Sequence, residues 1–159
     1  MRSEEEVVRA MDAYADLVRR LCLVRLKSRE DTEDIFQTVF LKYLQHTKPF
    51  ANAEHEKAWF IQVTLNACRD LLRFWARRPT VPLEALAAQA APEPEDRSVL
   101  AAVLSLPEKY RDAVYLHYYE GYSAPEIGDL LGKNPNTVYT LLTRARALLR
   151  EKLGGEADG

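Results

Sequence analysis

This chain of 159 residues offers little to a membrane, an oxidising compartment or a metal centre. It contains no run of about 18 apolar residues, which excludes a helical span. The N-terminal stretch MRSEEEVVRAMDAYADLV is acidic and amphipathic, where a secretion signal is basic and then apolar, so residence in the cytoplasm is expected. Cysteine is scarce. Cys22 and Cys68 stand far apart in sequence without a CxxC or Cys/His companion spacing, and the expectation is two reduced, packed thiols with no disulfide or metal role. His46, His55 and His117 lack the Glu-x-x-His spacing of a bundle-core metal site, which argues against a helical-bundle metalloenzyme and leaves no cofactor to expect.

Net charge is also small, at −2, but its distribution is uneven. Residues 57–78 set five cations (Lys57, Arg69, Arg73, Arg77, Arg78) against Asp70 alone, and residues 137–153 set four (Arg144, Arg146, Arg150, Lys152) against Glu151. Between them, residues 79–98 carry Glu84, Glu93, Glu95 and Asp96 against Arg97. Two basic segments separated by an acidic spacer suit two contacts with a polyanion, not a protein that coats one.

What the chain has in abundance is helical periodicity. Val7, Val8, Met11, Tyr14, Ala15, Val18, Leu21 and Cys22 predict a first helix over about 4–27, broken at 28–32. Asp31, Glu33 and Asp34 then suit the positive end of a second helix, whose broad apolar stripe is Ile35, Phe36, Val39, Phe40, Tyr43 and Leu44. A loop is expected over 47–56. The third helix, about 56–77, has Ile61, Leu65, Cys68, Leu71, Leu72 and Trp75 on one face. Its other face gathers Gln62, Asn66, Arg69, Asp70, Arg73 and Arg77, with Trp59 nearby, a mixture suited to phosphates and to stacking on an unpaired base. Pro79, Pro82, Pro92 and Pro94 make residues 79–97 a linker, with one short helical turn expected near 83–90.

The C-terminal segment resumes with Val99, Leu100, Val103 and Leu104, and Pro107 opens a helix with Tyr110, Ala113, Val114, Leu116, Tyr118 and Tyr119 as core, ended by Gly121. Ser123 with Glu126 has capping-box spacing, Gly132 is a helix stop, and Asn134-Pro135 restarts the chain. The final helix packs Val138, Leu141, Leu142, Ala145, Leu148 and Leu149, leaving Asn136, Thr137, Tyr139, Thr140, Thr143 and Arg144 outward. Such a helix–turn–helix lays its second helix in a DNA major groove, where these side chains can hydrogen-bond base edges and phosphates. By itself the pattern fits a DNA-binding hairpin or an ordinary amphipathic pair.

Four strings, in order, resemble the extracytoplasmic-function (ECF) group of bacterial RNA polymerase sigma factors. They are Asp31-Thr32-Glu33-Asp34-Ile35-Phe36-Gln37-Thr38-Val39-Phe40-Leu41; Ala58-Trp59-Phe60 with Asn66; Leu106-Pro107-Glu108-Lys109-Tyr110-Arg111; and Tyr122-Ser123 through Glu126-Ile127, Leu131-Gly132, Thr137-Val138 and Arg144-Ala145-Arg146. The resemblance implies an all-α protein of two small helical domains: 1–78 for region 2, a linker at 79–97, 98–153 for region 4, and a tail at 154–159. It implies docking on the core polymerase clamp through Asp31, Asp34, Gln37, Phe40 and Leu41. Minus-ten contacts fall to Trp59, Gln62, Asn66, Arg69, Asp70, Arg73 and Arg77, with the 47–56 loop holding a flipped-out base. Minus-thirty-five contacts fall to Asn136, Thr137, Tyr139, Thr140, Thr143 and Arg144, while the other surface of that domain meets the polymerase flap. The partners implied are core RNA polymerase and promoter DNA, with an anti-sigma factor left open, no membrane insertion, a monomer when free, and no chemistry performed by the factor itself.

Lys133-Asn134 at the turn and Tyr139-Thr140-Leu141 in the recognition helix depart from the family pattern, lower the basic charge there, and are where a distinct promoter preference is expected. A free-standing helix–turn–helix regulator shares the C-terminal pattern but leaves the basic third helix and the linker unexplained. An adaptor using these helices for protein contacts alone predicts tolerance of Arg69→Ala and Arg144→Ala.

Overall fold

The computed structural model describes residues 1–26, 28–76 and 99–157, with side chains described over 1–26, 28–76 and 101–151. Every regular element among them is an α-helix: α1 (Glu4–Leu26), α2 (Arg29–Gln45), α3 (Ala53–Ala76), α4 (Val99–Leu104), α5 (Glu108–Tyr118), α6 (Ala124–Leu131) and α7 (Pro135–Ala157). The chain divides into two compact units, Met1–Ala91 and Pro92–Gly159. The expected linker turn near 83–90 and the expected contact residue Arg77 lie outside the described residues.

In the first unit α1, α2 and α3 pack mutually. Their shared interior holds Val18, Leu21, Val24, Val39, Tyr43, Phe60 and Ile61. Phe60 is its hub, with ring centroids of Tyr14, Tyr43 and Phe40 at 4.6, 5.1 and 5.3 Å. Aromatic pairs at such spacing add roughly 0.5–1.5 kcal/mol each beyond the area they bury. Helix starts are set by short polar caps. Ser28 accepts a hydrogen bond from the Asp31 amide, so α2 begins two residues earlier than its acidic residues suggest. Asn52 Oδ1 likewise accepts from the His55 amide at 2.8 Å and starts α3 at Ala53 instead of near Glu56.

The cysteines are free and packed, as expected, and the fold brings them together. Cys22 on α1 and Cys68 on α3 meet in the core with sulfurs 4.0 Å apart, both free and buried. Hydrogen bonding to Cys68, then burial, pushes the Cys22 thiol well above its ordinary pKa, which keeps it protonated and poorly nucleophilic.

In the second unit α7 runs against α4, α5 and α6. Val103, Val114, Leu116, Ile127, Val138, Leu142 and Ala145 form its interior. The capping box at the start of α6 is complete: Ser123 Oγ accepts from the Glu126 amide, and Glu126 accepts from the Ser123 amide at 2.9 Å. Gly132 ends α6 with φ +68°, a left-handed conformation that other residues adopt only under strain. Gly128 has a different reason to be glycine, because a Cβ there would stand 2.6 Å from the Lys133 carbonyl oxygen. The absent side chain is what lets the turn close back over α6.

Candidate nucleic-acid interface

The outward side of α3 begins with packing and ends in charge. Gln62 and Asn66 are half-buried, whereas Arg69, Asp70 and Arg73 are exposed. Arg69 lies 3.9 Å from its neighbour Asp70, too loose and too solvated to neutralise either group. Trp59 is not a free platform beside them. Its ring lies 5.0 Å from both Phe60 and His46, 5.8 Å from Phe50 and 5.9 Å from Tyr43. This aromatic wall closes the end of α3 against the 47–52 loop.

That loop is held by a hub the sequence reading does not contain. Glu56, 6 % exposed, offers one oxygen to each amino group of Arg9 at 3.3 and 3.4 Å and accepts from the Tyr43 hydroxyl at 3.3 Å. A carboxylate at a helix position in step with buried Phe60 and Thr64 was the available signal. Its charge acts on its neighbours. Burial first, then hydrogen bonding to Glu56, pushes the Tyr14 hydroxyl up to about 12; burial and then the Glu56 charge also raise Tyr43, while the bond to Glu56 raises Arg9. The Arg2 guanidinium lies over the Tyr43 and Phe50 rings at 4.4 and 5.1 Å and donates to the Lys48 carbonyl. His55 Nδ1 accepts from the Ala51 amide, fixing the loop from its other end. Beside this assembly is a hollow of about 330 Å³ lined by Arg2, Arg9, Pro49, Phe50, Asn52, Ala53 and Glu56. Aromatic, amide and cationic groups around one concavity are the components that hold a planar, hydrogen-bonding guest.

On α2 the expected docking residues separate. Asp34 and Gln37 are exposed, Leu41 is 55 % exposed, and Asp31 is half-buried at the helix start. Phe40 is a correction: it is 5 % exposed, between Phe36 and Phe60, and cannot meet a partner's surface. Its place in the apolar stripe decided its position.

The second unit presents Asn136, Thr137, Tyr139, Thr140, Thr143 and Arg144 outward from α7, over a packed side of Val138, Leu142 and Ala145. Two polar side chains near its start have internal work. Asn134 Oδ1 accepts from the Asn136 amide at 2.8 Å, and the Thr140 hydroxyl donates to the Asn136 carbonyl at 3.0 Å. Tyr139, 55 % exposed, stands clear. Elsewhere on this unit an apolar hollow of about 280 Å³ is lined by Ala102, Val103, Val114, Tyr118 and Leu149, with Arg146 hydrogen-bonded to the Tyr118 hydroxyl at its edge.

The histidines have structural neighbours: His46 stacks between Phe50 and Trp59, and His117 Nδ1 lies 2.8 Å from the Tyr122 carbonyl, to which it donates. Among the described residues no three His, Cys, Asp or Glu side chains converge as metal ligands, and no helix is long and apolar enough to cross a membrane.

Comparison with known proteins divides the chain at the same two units. Residues 10–78 match the family described as Sigma-70 region 2, and residues 96–149 match the one described as Sigma-70, region 4. The chain is 34 % identical over 137 residues to the ECF RNA polymerase sigma factor SigM of Mycobacterium tuberculosis, a match spanning 83 % of this chain and 70 % of SigM. It is 30 % identical over 158 residues to the probable RNA polymerase sigma factor RfaY of Xanthomonas campestris, spanning 91 % of this chain and 40 % of that longer protein. The solved structure of the sigma factor RpoE with the anti-sigma factor NepR from Bartonella quintana is similar with a TM-score of 0.72 at 18 % identity, covering 94 % of this chain and 98 % of the other. At that identity the likeness speaks to the fold.

Proposed function

The chain belongs to the ECF group of RNA polymerase sigma factors, and from that premise we propose how its parts share the work of bringing core polymerase to a promoter and opening it. The exposed Arg69, Asp70 and Arg73, with half-buried Gln62 and Asn66, lie against the minus-ten element. The hollow beside Phe50 and Asn52 receives a base extruded from the duplex. Extraction costs a few kcal/mol of stacking and pairing, so a site that exists only for the extruded base favours the open form. Asp34, Gln37 and Leu41 dock on the clamp. The outward side of α7 enters the minus-thirty-five major groove, with Tyr139 and Arg144 the side chains freest to reach bases and phosphates. The apolar hollow near Tyr118 meets the flap. An anti-sigma factor can act by covering these same surfaces, and the factor works in the cytoplasm, where the polymerase is.

The observation that carries this reading is the preformed loop. Glu56, Arg2 and His55 fix a concavity at the end of a basic helix, which a free-standing helix–turn–helix regulator does not require. Run-off transcription with core polymerase on a genomic library tests it. Discrete promoters sharing two spaced elements are expected, with output lost in Arg69→Ala/Arg73→Ala and reduced in Arg144→Ala. Tight, sequence-specific duplex binding without polymerase, and no stimulated transcription, would favour the regulator instead.

A further inference from the structure

Around the hollow beside Phe50 the hydrogen-bond acceptors are already taken, while donors are left over. Both oxygens of Glu56 accept from Arg9, at 3.4 and 3.3 Å, and one accepts again from the Tyr43 hydroxyl at 3.3 Å. Nearby backbone carbonyls are bonded from the protein side as well: that of Lys48 by Arg2 at 3.1 Å, that of Asn52 by the Glu56 amide at 3.1 Å, and that of Ala53 by the Tyr14 hydroxyl at 3.4 Å. Asn52 Oδ1 is spent at 2.8 Å on the His55 amide, where it caps α3. What remains of that exposed side chain is its NH2 group, a pure donor. Arg2 and Arg9 have no acceptor, and each guanidinium carries more N–H groups than the two internal bonds it makes here. A guest in this hollow therefore meets donors.

We propose that the hollow selects a pyrimidine at the extruded minus-ten position, with the Asn52 NH2 group donating to one of its acceptors. The proposal rests on the base-holding reading of the hollow and adds the class of base held and the side chain that selects it. An extruded base is read along its Watson–Crick edge. On that edge cytosine and thymine each present two acceptors and one donor group, O2 and N3 with N4 in the first, O2 and O4 with N3 in the second. Adenine presents one acceptor and one donor group, and guanine one acceptor and two. Purine donors set against Asn52 and the guanidinium groups leave N–H groups on both sides without acceptors, and a site built to hydrogen-bond one edge rejects a guest that lacks its complement. Size acts in the same direction, since about 330 Å³ is at the lower end of the roughly 300–1,000 Å³ of small-molecule sites and suits a single ring.

The test uses the full chain assembled with core polymerase and a promoter recovered by run-off transcription, prepared as a fork in which the minus-ten strand is unpaired. A single abasic site moved along that strand locates the position at which losing the base weakens binding, and each of the four bases is then placed there. Wild type is expected to bind the cytosine and thymine forks at least about five-fold more tightly than the adenine and guanine forks. Asn52→Asp keeps an oxygen to cap α3 and replaces the NH2 donor with an acceptor. Its carboxylate repels phosphates on every fork alike, so the readout is the ratio between bases, and the pyrimidine preference is expected to disappear or reverse. A purine bound as tightly as a pyrimidine by wild type, or a pyrimidine preference unchanged in Asn52→Asp, would overturn the proposal while leaving the base-holding reading in place. If no abasic position weakens wild-type binding, that reading falls and the proposal falls with it.

Discussion

Glu56 should dominate the stability of the first unit out of proportion to its size. Its side chain is 7 % exposed while that of Arg9 is 60 % exposed, so the ion pair is solvated on one side and is worth about 0.2–1 kcal/mol. The larger contribution concerns Tyr43, a fully buried residue whose hydroxyl donates to Glu56. Glu56→Ala leaves that donor without its acceptor, at about 1–3 kcal/mol, and exposes the emptied space to partial collapse. The expected loss is about 2–4 kcal/mol. A unit of this size shifts its midpoint by roughly 4–8 °C per kcal/mol, which predicts a fall of about 10 °C or more. Glu56→Gln keeps the volume and an acceptor and should lose only about 1 kcal/mol. The chain's two tryptophans, Trp59 and Trp75, both lie in the first unit, so tryptophan fluorescence during urea or thermal unfolding follows that unit alone. The decisive comparison is a cycle with Tyr43→Phe. If the stranded hydroxyl is the cause, the double variant should recover about 1–2 kcal/mol relative to the sum of the singles. Strict additivity, or a Glu56→Ala midpoint within a degree or two of wild type, would refute the reasoning.

Gly128→Ala should destabilise the second unit by about 1–3 kcal/mol although alanine is the better helix former, because the new Cβ meets a backbone oxygen 2.6 Å away and a carbonyl cannot swing aside as a side chain can; far-UV circular dichroism against temperature measures it. Ser123→Ala should remove about 0.5–2 kcal/mol of capping, read in the same assay. Hydrogen bonds from the Ser123 backbone and then its hydroxyl hold the Glu126 carboxyl below its ordinary pKa, so its contribution is complete above the unfolded-state value and disappears as pH falls through the folded one. Wild type should therefore lose stability with acid more steeply than Glu126→Gln, and parallel curves would contradict that. Cys22 and Cys68 should resist a thiol reagent at mildly alkaline pH in the native chain and react together only on unfolding, whereas fast native labelling would show the sulfurs to be accessible.

Features written in three or four consecutive positions were legible in the sequence. The Ser123–Glu126 box, the Gly132 stop and the Asn134 cap are local devices, and each forms with the residues that spell it. The sides of α3 and α7 follow from helical period alone, which is why Arg69, Arg73, Tyr139 and Arg144 could be named as outward before any fold was known. What escaped depends on partners distant in the chain. Glu56 acquires its meaning from Arg9, 47 residues earlier, and Cys22 meets Cys68 across 46. Phe40 shows the limit of assigning a contact by motif, since one helix position cannot both fill a core and face a partner, and its burial excludes the second. Trp59 shows a related limit: the wheel places it near the polar side, but neighbouring rings from α2 and the loop claim it.

Each of the two surfaces proposed to face DNA is individually modest, and this is consistent with their occurrence on one chain. Near the start of α7 the side chains of Asn134 and Thr140 are already bonded internally, and the first outward cation of that helix is Arg144. Few phosphates can be neutralised there, so duplex affinity from this unit alone is low and only weakly dependent on salt. In the proposed reading the exposed cations of α3 act where strands must first separate, and they gain most after the duplex has opened. A second contact made by the same molecule starts from an effective concentration far above that of a free protein in solution, so two weak surfaces become selective only when both elements lie within one chain's reach. Polymerase holding both units supplies that condition, and a net charge near zero keeps the free factor from occupying DNA without it.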